Sequence, residues 1–97
     1  MISWKILTSS LWEFSWSKKF KKQYKKLDSQ LKDKTRDALK SLERSDDPSL
    51  LGTYKSNLHC WAYTLNNSNR LLYGIRRTER MIDLIRVGDH KEAYGQD

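Results

Sequence analysis

The chain has 97 residues, 32% of them charged, and its formal net charge is +7. This length predicts one domain with a small core, and the positive charge predicts a polyanionic partner: nucleic acid, an anionic surface or an acidic protein. The single cysteine, Cys60, excludes an internal disulfide, and the histidines and cysteines do not have the spacing of a zinc site. No apolar run approaches the roughly 20 residues that are needed to span a bilayer. We therefore predict a protein of a reducing compartment without a metal site.

The first eleven residues have the least regular pattern. Apolar and polar residues alternate between Ile2 and Ile6 as in a short strand, and a polar run then breaks the alternation. We treat residues 1–11 as an N-terminal extension, which is either a short extra strand or sequence ahead of a true start at Leu11. Residues 12–97 are predicted to form a single domain.

One strand and two helices are predicted next. Trp12–Trp16 alternates aromatic and polar residues, which indicates a half-buried strand. Ser17 is a suitable N-cap for a helix over Lys18–Leu27, which has an apolar stripe and six lysines. A second amphipathic helix is predicted from Asp28 or Ser29 to Arg44, and two helices this close in sequence form a hairpin.

The second half of the chain predicts three strands. They are His59–Leu65, Arg70–Ile75 and Met81–Val87, separated by the polar turn Asn66–Asn69 and the charged turn Arg76–Arg80. The predicted order is β-α-α-β-β-β. It indicates an α+β fold in which the helical hairpin packs on one face of an antiparallel sheet.

The segment after the last predicted strand carries groups that can move protons. Gly88 ends the apolar run, His90 follows it closely, and Tyr94 comes four residues after the histidine. A spacing of four places two side chains on one side of either a helix or a strand. Imidazole transfers protons near neutral pH, and a tyrosine hydroxyl does so when perturbed. The alternative is a capping turn whose Tyr94 folds back into the core.

Three stretches of the sequence, in order, resemble the RelE/ParE superfamily of toxins from type II toxin–antitoxin modules. Trp12–Phe20 resembles the family's first strand and helix start, and Asn69–Tyr73 resembles its strand with an arginine, two aliphatic residues and a tyrosine. Arg86–Tyr94 is similar to the C-terminal motif of the ribosome-dependent mRNA interferases, the RelE, YoeB and YafQ branches. The resemblance covers residues 12–95 and implies a RelE-like fold.

The resemblance also implies an activity, a partner and a catalytic site. The activity is that of a metal-independent endoribonuclease without a cofactor, which cleaves mRNA in the ribosomal A site and stops translation in the cytoplasm. The partner is an acidic antitoxin in a hetero-oligomeric complex. His90 matches the catalytic histidine of the motif, Tyr94 its terminal aromatic residue and Arg86 an arginine of the last strand. Lys55 lies where the family places an active-site lysine.

A further set of residues is predicted to contact RNA, because a ribosome-bound protein must lie along phosphate-lined surfaces. The set includes lysines of the first helix, for which the alternative to RNA contact is a solvated helix face. It also includes an arginine, for which the alternative is a salt bridge within the sheet. Aromatic rings of such sites stack on bases. The predicted residues are Lys18, Lys19, Lys22, Lys25, Arg70 and Trp61.

An antitoxin is expected to cover exposed apolar residues of the toxin with an amphipathic helix. Two places are considered for this helix. One is the helical hairpin at Phe20, Tyr24 and Leu31, and the other is an edge of the sheet.

Two positions depart from the pattern of active family members, and they leave other functions open. Tyr63 and Thr64 stand where those members carry a strand arginine, and His59 or Cys60 replaces a loop glycine. One alternative is a DNA gyrase inhibitor of the ParE type, a branch that usually lacks the ending with His90. The other is a catalytically weakened toxin that acts mainly as the partner of its antitoxin.

Overall fold

The computed structural model describes residues 11–89. Its elements are β1 (Glu13–Trp16), α1 (Lys18–Lys26), α2 (Ser29–Arg44), a 3-10 turn (Pro48–Leu51), β2 (Thr53–Lys55), β3 (Cys60–Thr64), β4 (Asn69–Arg76) and β5 (Met81–Asp89). The α+β class and the helical hairpin are confirmed, and the predicted strand and helix bounds differ by at most two residues. The predicted catalytic residues His90 and Tyr94 lie outside the described residues, as do residues 1–10.

The five strands form one mixed sheet in the order β1-β5-β4-β3-β2. Neighbouring strands from β2 to β5 are antiparallel, as predicted, whereas β1 pairs in parallel with β5, with Glu13 beside Met81 and Trp16 beside Leu84. The sequence prediction missed β2, because three residues are too short to show an alternating pattern. It also missed the parallel pair, because a local pattern does not specify which distant strand lies beside β1.

Both helices begin at side-chain caps. Ser17 Oγ accepts a hydrogen bond of 3.0 Å from Phe20 N, and Asp28 Oδ1 accepts one of 2.8 Å from Leu31 N. These bonds satisfy amide groups that the first turn of a helix leaves without a partner. Within residues 11–89, neither helix is long and apolar enough to cross a membrane.

The main core lies between the helical hairpin and one face of the sheet. Phe20 from α1 and Leu42 from α2 are fully buried there against Leu71, Leu84 and other residues of β4 and β5. Burial of this apolar area is the main force that holds the two layers together. Because Phe20 is already buried by the sheet, it is not available to an antitoxin helix, and the expectation that the helix contacts it is wrong.

The other face of the sheet, which we call the second face, carries a smaller apolar cluster. Cys60, Ala62 and Leu72 are buried there, and Leu58 and Ile85 pack against them. The helical hairpin covers the main core. Side chains of β2 to β5 that lie on the second face are therefore on the side of the sheet away from the hairpin.

A buried hydroxyl group fixes the 3-10 turn, and therefore β2, against the sheet. Tyr73 Oη donates a hydrogen bond of 2.6 Å to Pro48 O, and burial raises the pKa of this hydroxyl well above its usual value, so it stays a donor. A side chain at Gly52 would lie 2.7 Å from Tyr73 Oη and 2.9 Å from Ala62 O. Only glycine allows this close approach.

Candidate active site

The strand register brings three predicted cationic residues to the second face. Residues directly opposite each other in an antiparallel pair project to the same side of the sheet. Lys55 on β2 lies opposite Cys60, and Arg86 on β5 lies opposite Leu72. Arg70 on β4 lies opposite Thr64 and two residues from Leu72, which places it on the same face. All three cations are half-buried around the apolar cluster.

A β-bulge determines the side of the sheet on which Arg86 lies. Leu72 pairs with Arg86 and Tyr73 pairs with Leu84, so Ile85 is an extra residue on β5. Without the extra residue, strict alternation would place Arg86 on the same side as Leu84, in the main core. With it, Ile85 packs on the second face and Arg86 lies opposite Leu72. The bulge therefore directs the guanidinium away from the core.

The guanidinium of Arg86 has neither a hydrogen bond nor an ion pair with any residue in the described part of the chain. Its field reaches Cys60: burial raises the pKa of that thiol, and the positive charge of Arg86 opposes the rise. A half-buried guanidinium without a protein partner presents its donors to an anion, and its planar fork suits phosphate oxygens.

Arg70 is held by the turn between β3 and β4 rather than by an acidic residue. Its Nη1 donates to Asn66 O at 2.6 Å and to Asn69 O at 3.0 Å. Carbonyl groups orient the guanidinium without neutralising its charge. Thr64, one of the two residues at the position where the resemblance implies an arginine, is directly opposite Arg70. The neighbouring strand thus places a cation beside the position that lacks one.

The opposite end of the second face carries a neutralised arginine. Arg76 on β4 makes two hydrogen bonds to the carboxylate of Asp83, at 2.9 and 3.1 Å, and one of 3.0 Å to Glu79. These groups balance the charge of Arg76 locally. Positive charge without a carboxylate partner is therefore found near Arg86 and Arg70 rather than evenly along the second face.

His59 ends the turn between β2 and β3 with a backbone conformation that favours glycine. Its φ is 55° and its side chain is exposed. Residues other than glycine adopt this left-handed region at an energetic cost, although histidine tolerates it better than most. Of the two residues considered in place of the loop glycine that the resemblance implies, His59 rather than Cys60 has a backbone conformation that favours glycine.

The other predicted RNA-contacting residues lie on the helical side of the sheet. The Trp61 ring stacks on Tyr73 with 6.3 Å between ring centroids and meets Tyr54 edge-on at 4.9 Å. It therefore packs against the main core, on the side of the sheet away from Arg86 and Lys55, and its contact with RNA stays a prediction. The four lysines of α1 are exposed on the helical layer. They are Lys18, Lys19, Lys22 and Lys25.

The sequence prediction missed two polar residues that contact β5 next to Arg86. They are Ser17, assigned only as a helix cap, and Gln23, which is buried although lysines surround it in the sequence. Gln23 lies three residues after Phe20, on the same side of α1, and this spacing was the available signal.

The family of the chain follows from a comparison with known protein families. Residues 14–94 match the family model described as the ParE toxin of the type II toxin–antitoxin system, parDE. The chain belongs to this toxin family. The match includes the second-face cations and continues through His90 to Tyr94. No curated protein sequence matches the toxin.

Solved structures of other toxins share the fold. A mutant of the E. coli toxin RelE in the free state is 18% identical and covers 88% of the toxin and 96% of its own chain, with a TM-score of 0.68. The RelBE2 toxin–antitoxin complex from Mycobacterium tuberculosis is 16% identical, and the match covers 82% of the toxin and 99% of the chain in that structure, with a TM-score of 0.60. A metal-bound toxin from Helicobacter pylori is 26% identical, and the match covers 84% of the toxin and 97% of the chain in that structure, with a TM-score of 0.58. These structures show that the toxin shares their fold. Together with the match to the ParE toxin family model, they place it in the RelE/ParE superfamily.

Proposed function

We propose that the toxin is a ribosome-dependent endoribonuclease that cleaves mRNA in the A site and so inhibits translation. The observation that carries this proposal is the guanidinium of Arg86, which the bulge directs to the second face and which has no partner within residues 11–89. It lies four residues before His90, a residue able to transfer protons, and the strand that carries it leads directly into the segment of His90 and Tyr94.

The proposed reaction is a transesterification within the mRNA. The 2′-hydroxyl gives up its proton to solvent as its oxygen attacks the adjacent phosphorus. The bond from phosphorus to the 5′-oxygen breaks, and the products are a 2′,3′-cyclic phosphate and a 5′-hydroxyl. His90 donates a proton to the leaving 5′-oxygen as general acid. Tyr94 orients the nucleotide. Arg86 and Lys55 stabilise the negative charge that develops on the phosphate oxygens.

Arg70 on β4 supplies the cation that β3 lacks at Thr64, the position where the resemblance implies an arginine. Its position opposite Thr64 supports this assignment, as do the two carbonyl groups that hold its guanidinium. An orientation fixed in advance requires no reorganisation when charge develops in the transition state. We therefore favour an active enzyme over a catalytically weakened toxin.

The lysines of α1 are proposed to bind ribosomal RNA. The nine residues of this helix include six lysines and no acidic residue. Lysine contacts to phosphate provide affinity that depends on salt, without sequence specificity. Because these lysines lie across the sheet from Arg86, they would anchor the toxin in the cytoplasmic ribosome while the second face holds the mRNA.

The antitoxin is proposed to be an acidic protein that covers the edge of the sheet at β2. Leu50 is 80% exposed and Tyr54 is 49% exposed at this edge, next to β2, which pairs with only one strand among the described residues. Exposed apolar side chains beside an open strand edge favour binding of another polypeptide. The M. tuberculosis relative is a toxin–antitoxin complex, which supports a hetero-oligomer here.

A DNA gyrase inhibitor is the second candidate, because the matching family model is that of the ParE toxin. Such an inhibitor would need neither a general acid nor a free guanidinium beside bound phosphate. His90 and Arg86 are therefore the residues that discriminate between the two functions.

Expression in cells tests the proposal. The toxin is induced, 5′ ends of a reporter mRNA are mapped by primer extension, and plasmid supercoiling is measured in the same cultures. We expect new 5′ ends at codon positions within minutes and unchanged supercoiling, and His90→Ala serves as the control. Growth arrest with altered supercoiling and no new 5′ ends would favour gyrase inhibition instead.

A further inference from the structure

The outer edge of β5 lacks a strand neighbour at the position of the bulge. β1 ends at Trp16, beside Leu84, whereas β5 continues to Asp89. Within the described residues, the backbone of β5 beyond Leu84 therefore has no β-ladder on that edge. A bulged strand with one free edge can change register unless other groups hold it.

The N-cap residue of α1, Ser17, and a residue of its second turn, Gln23, take the place of the missing strand. Ser17 N donates to Leu84 O at 3.2 Å, and Ser17 Oγ donates to Ile85 O at 2.9 Å. Gln23 Oε1 accepts a hydrogen bond of 2.9 Å from Val87 N. The two side-chain bonds lie on either side of Arg86, at Ile85 one residue before it and at Val87 one residue after it.

The bond from Val87 to Gln23 is protected from water. The side chain of Gln23 is 6% exposed and Val87 is fully buried. In the absence of Gln23, a buried amide would have no acceptor, and the strand would relax to recover one. A bulge can relax by moving along its strand, so that a residue other than Ile85 becomes the extra one. Such a move would change the face of the sheet on which Arg86 lies.

We propose that Gln23 is a positioning residue that holds the bulge and thereby fixes Arg86 on the second face. This inference rests on the proposed function only for its effect on mRNA cleavage, since the position of Arg86 is measured without any activity. Gln23 acts on Arg86 through the backbone of β5, by accepting the hydrogen bond from Val87 N.

Three variants separate the hydrogen bond from packing. Gln23→Met keeps the length of the side chain and removes the acceptor, whereas Gln23→Glu keeps a carbonyl-type oxygen at the same place. Gln30→Met is the matched control, because Gln30 is an exposed glutamine of the other helix. Should Gln23→Met fail to fold, Ser17→Gly removes the other side-chain bond, and glycine remains acceptable at a helix N-cap.

The experiment combines two nuclear magnetic resonance measurements with two activity measurements. Hydrogen exchange reports protection of the Val87 amide, and the nuclear Overhauser effect between Arg86 and the Leu72 methyl groups reports the face of Arg86. Growth arrest and the single-turnover cleavage rate at saturating toxin report function. In Gln23→Met we expect faster exchange at Val87, loss of the Arg86–Leu72 signal and a cleavage rate lower by about 10²-fold, as for a small misplacement of a catalytic group. Gln23→Glu should retain slow exchange at Val87, the Arg86–Leu72 signal, the cleavage rate and growth arrest.

Each outcome decides the inference. If Gln23→Met keeps the Arg86–Leu72 signal, or loses it and still cleaves and arrests growth normally, Gln23 is not a positioning residue. If the unmodified toxin arrests growth without cleaving mRNA, the proposed ribonuclease fails. Loss of the Arg86–Leu72 signal and of growth arrest in Gln23→Met would then still support the role of Gln23, and their retention would overturn it.

Discussion

Two arginines of the second face differ in role because they differ in partners. Arg76 makes hydrogen bonds to both Asp83 and Glu79, and its charge is balanced at the surface. Arg86 has no such partner within residues 11–89. Half-burial removes part of its hydration, which strengthens its attraction for a bound phosphate. The presence or absence of a carboxylate partner within residues 11–89, rather than the residue type, therefore distinguishes Arg86, the arginine proposed to bind phosphate, from Arg76.

Replacement of Arg86 by glutamine should affect cleavage far more than stability. We expect ribosome-dependent cleavage to fall about 10²–10³-fold, as for loss of one donor to a developing oxyanion. The free energy of unfolding should change by less than about 0.5 kcal/mol, because Arg86 has no hydrogen-bond or ion-pair partner within residues 11–89. Arg76→Gln is the matched control and should cleave normally. Equal cleavage by both variants would remove Arg86 from the mechanism.

Replacement of His59 by glycine should stabilise the toxin. Relief of the left-handed strain is worth roughly 1–2 kcal/mol, and the added freedom of glycine in the unfolded chain offsets about 0.5–1 kcal/mol. Denaturation with urea should therefore show a gain of about 0.5–1 kcal/mol. Asn57→Gly in the same turn, where φ is not positive, should instead destabilise. A loss of stability in His59→Gly would mean that the imidazole makes a stabilising contact.

At the scale of whole elements, the helices and the three longer strands could be predicted because their patterns are local. Six lysines around Phe20 define the face of α1, and alternating residues define β3 to β5. The bulge could not be predicted, because the run from Ile82 to Val87 reads as an alternation that would place Arg86 in the core. Gln23 was overlooked for a related reason: its partner, Val87 N, belongs to a strand distant in sequence.

The 3-10 turn before β2 should make stability depend on pH. Asp47 accepts hydrogen bonds from Ser49, at 2.7 Å from its Oγ, and from Arg77 Nη2 at 2.9 Å. The Ser49 hydroxyl, followed by Arg77, lowers the pKa of Asp47 below its usual value. A lowered acidic pKa contributes stability above the unfolded-state pKa, near 4, and this stability is lost as pH falls through the folded-state pKa.

Replacement of Asp47 by asparagine tests this dependence through unfolding curves between pH 2 and pH 7. The variant should be less stable than the unmodified toxin at neutral pH, and the difference should shrink as pH falls below about 4. Asp46→Asn, at the exposed neighbouring residue, is the control. A difference that stays constant over the whole range would mean that the carboxylate charge contributes nothing to the turn.

At the scale of the whole molecule, positive charge is concentrated on one helix. The six lysines of α1 occur without an acidic residue, whereas the basic residues of α2 alternate with Asp33, Asp37 and Glu43. The two cationic surfaces, α1 and the second face, lie on opposite sides of the sheet. This arrangement fits the proposed function, in which ribosomal RNA binds α1 on one side of the sheet and mRNA contacts the second face on the other.

Removal of charge from α1 should weaken ribosome binding and reduce its salt dependence. Replacement of Lys18, Lys19, Lys22 and Lys25 by glutamine should make the slope of log affinity against log salt shallower by up to about 0.7–0.9 per lost phosphate contact. The matched control replaces four basic residues of α2, which are Lys32, Lys34, Lys40 and Arg44. If both variants change the slope equally, the charge of α1 has no special role.

Cleavage of a labelled mRNA by purified toxin, with and without ribosomes, tests the proposed activity most directly. Programmed ribosomes and naked mRNA are compared at one salt concentration, with the unmodified toxin and His90→Ala. We predict cleavage only on the ribosome, and a rate lower by about 10²–10⁴-fold in His90→Ala, as for loss of a general acid. Equal cleavage of naked mRNA, or no cleavage by a toxin that still arrests growth, would contradict ribosome-dependent ribonuclease activity.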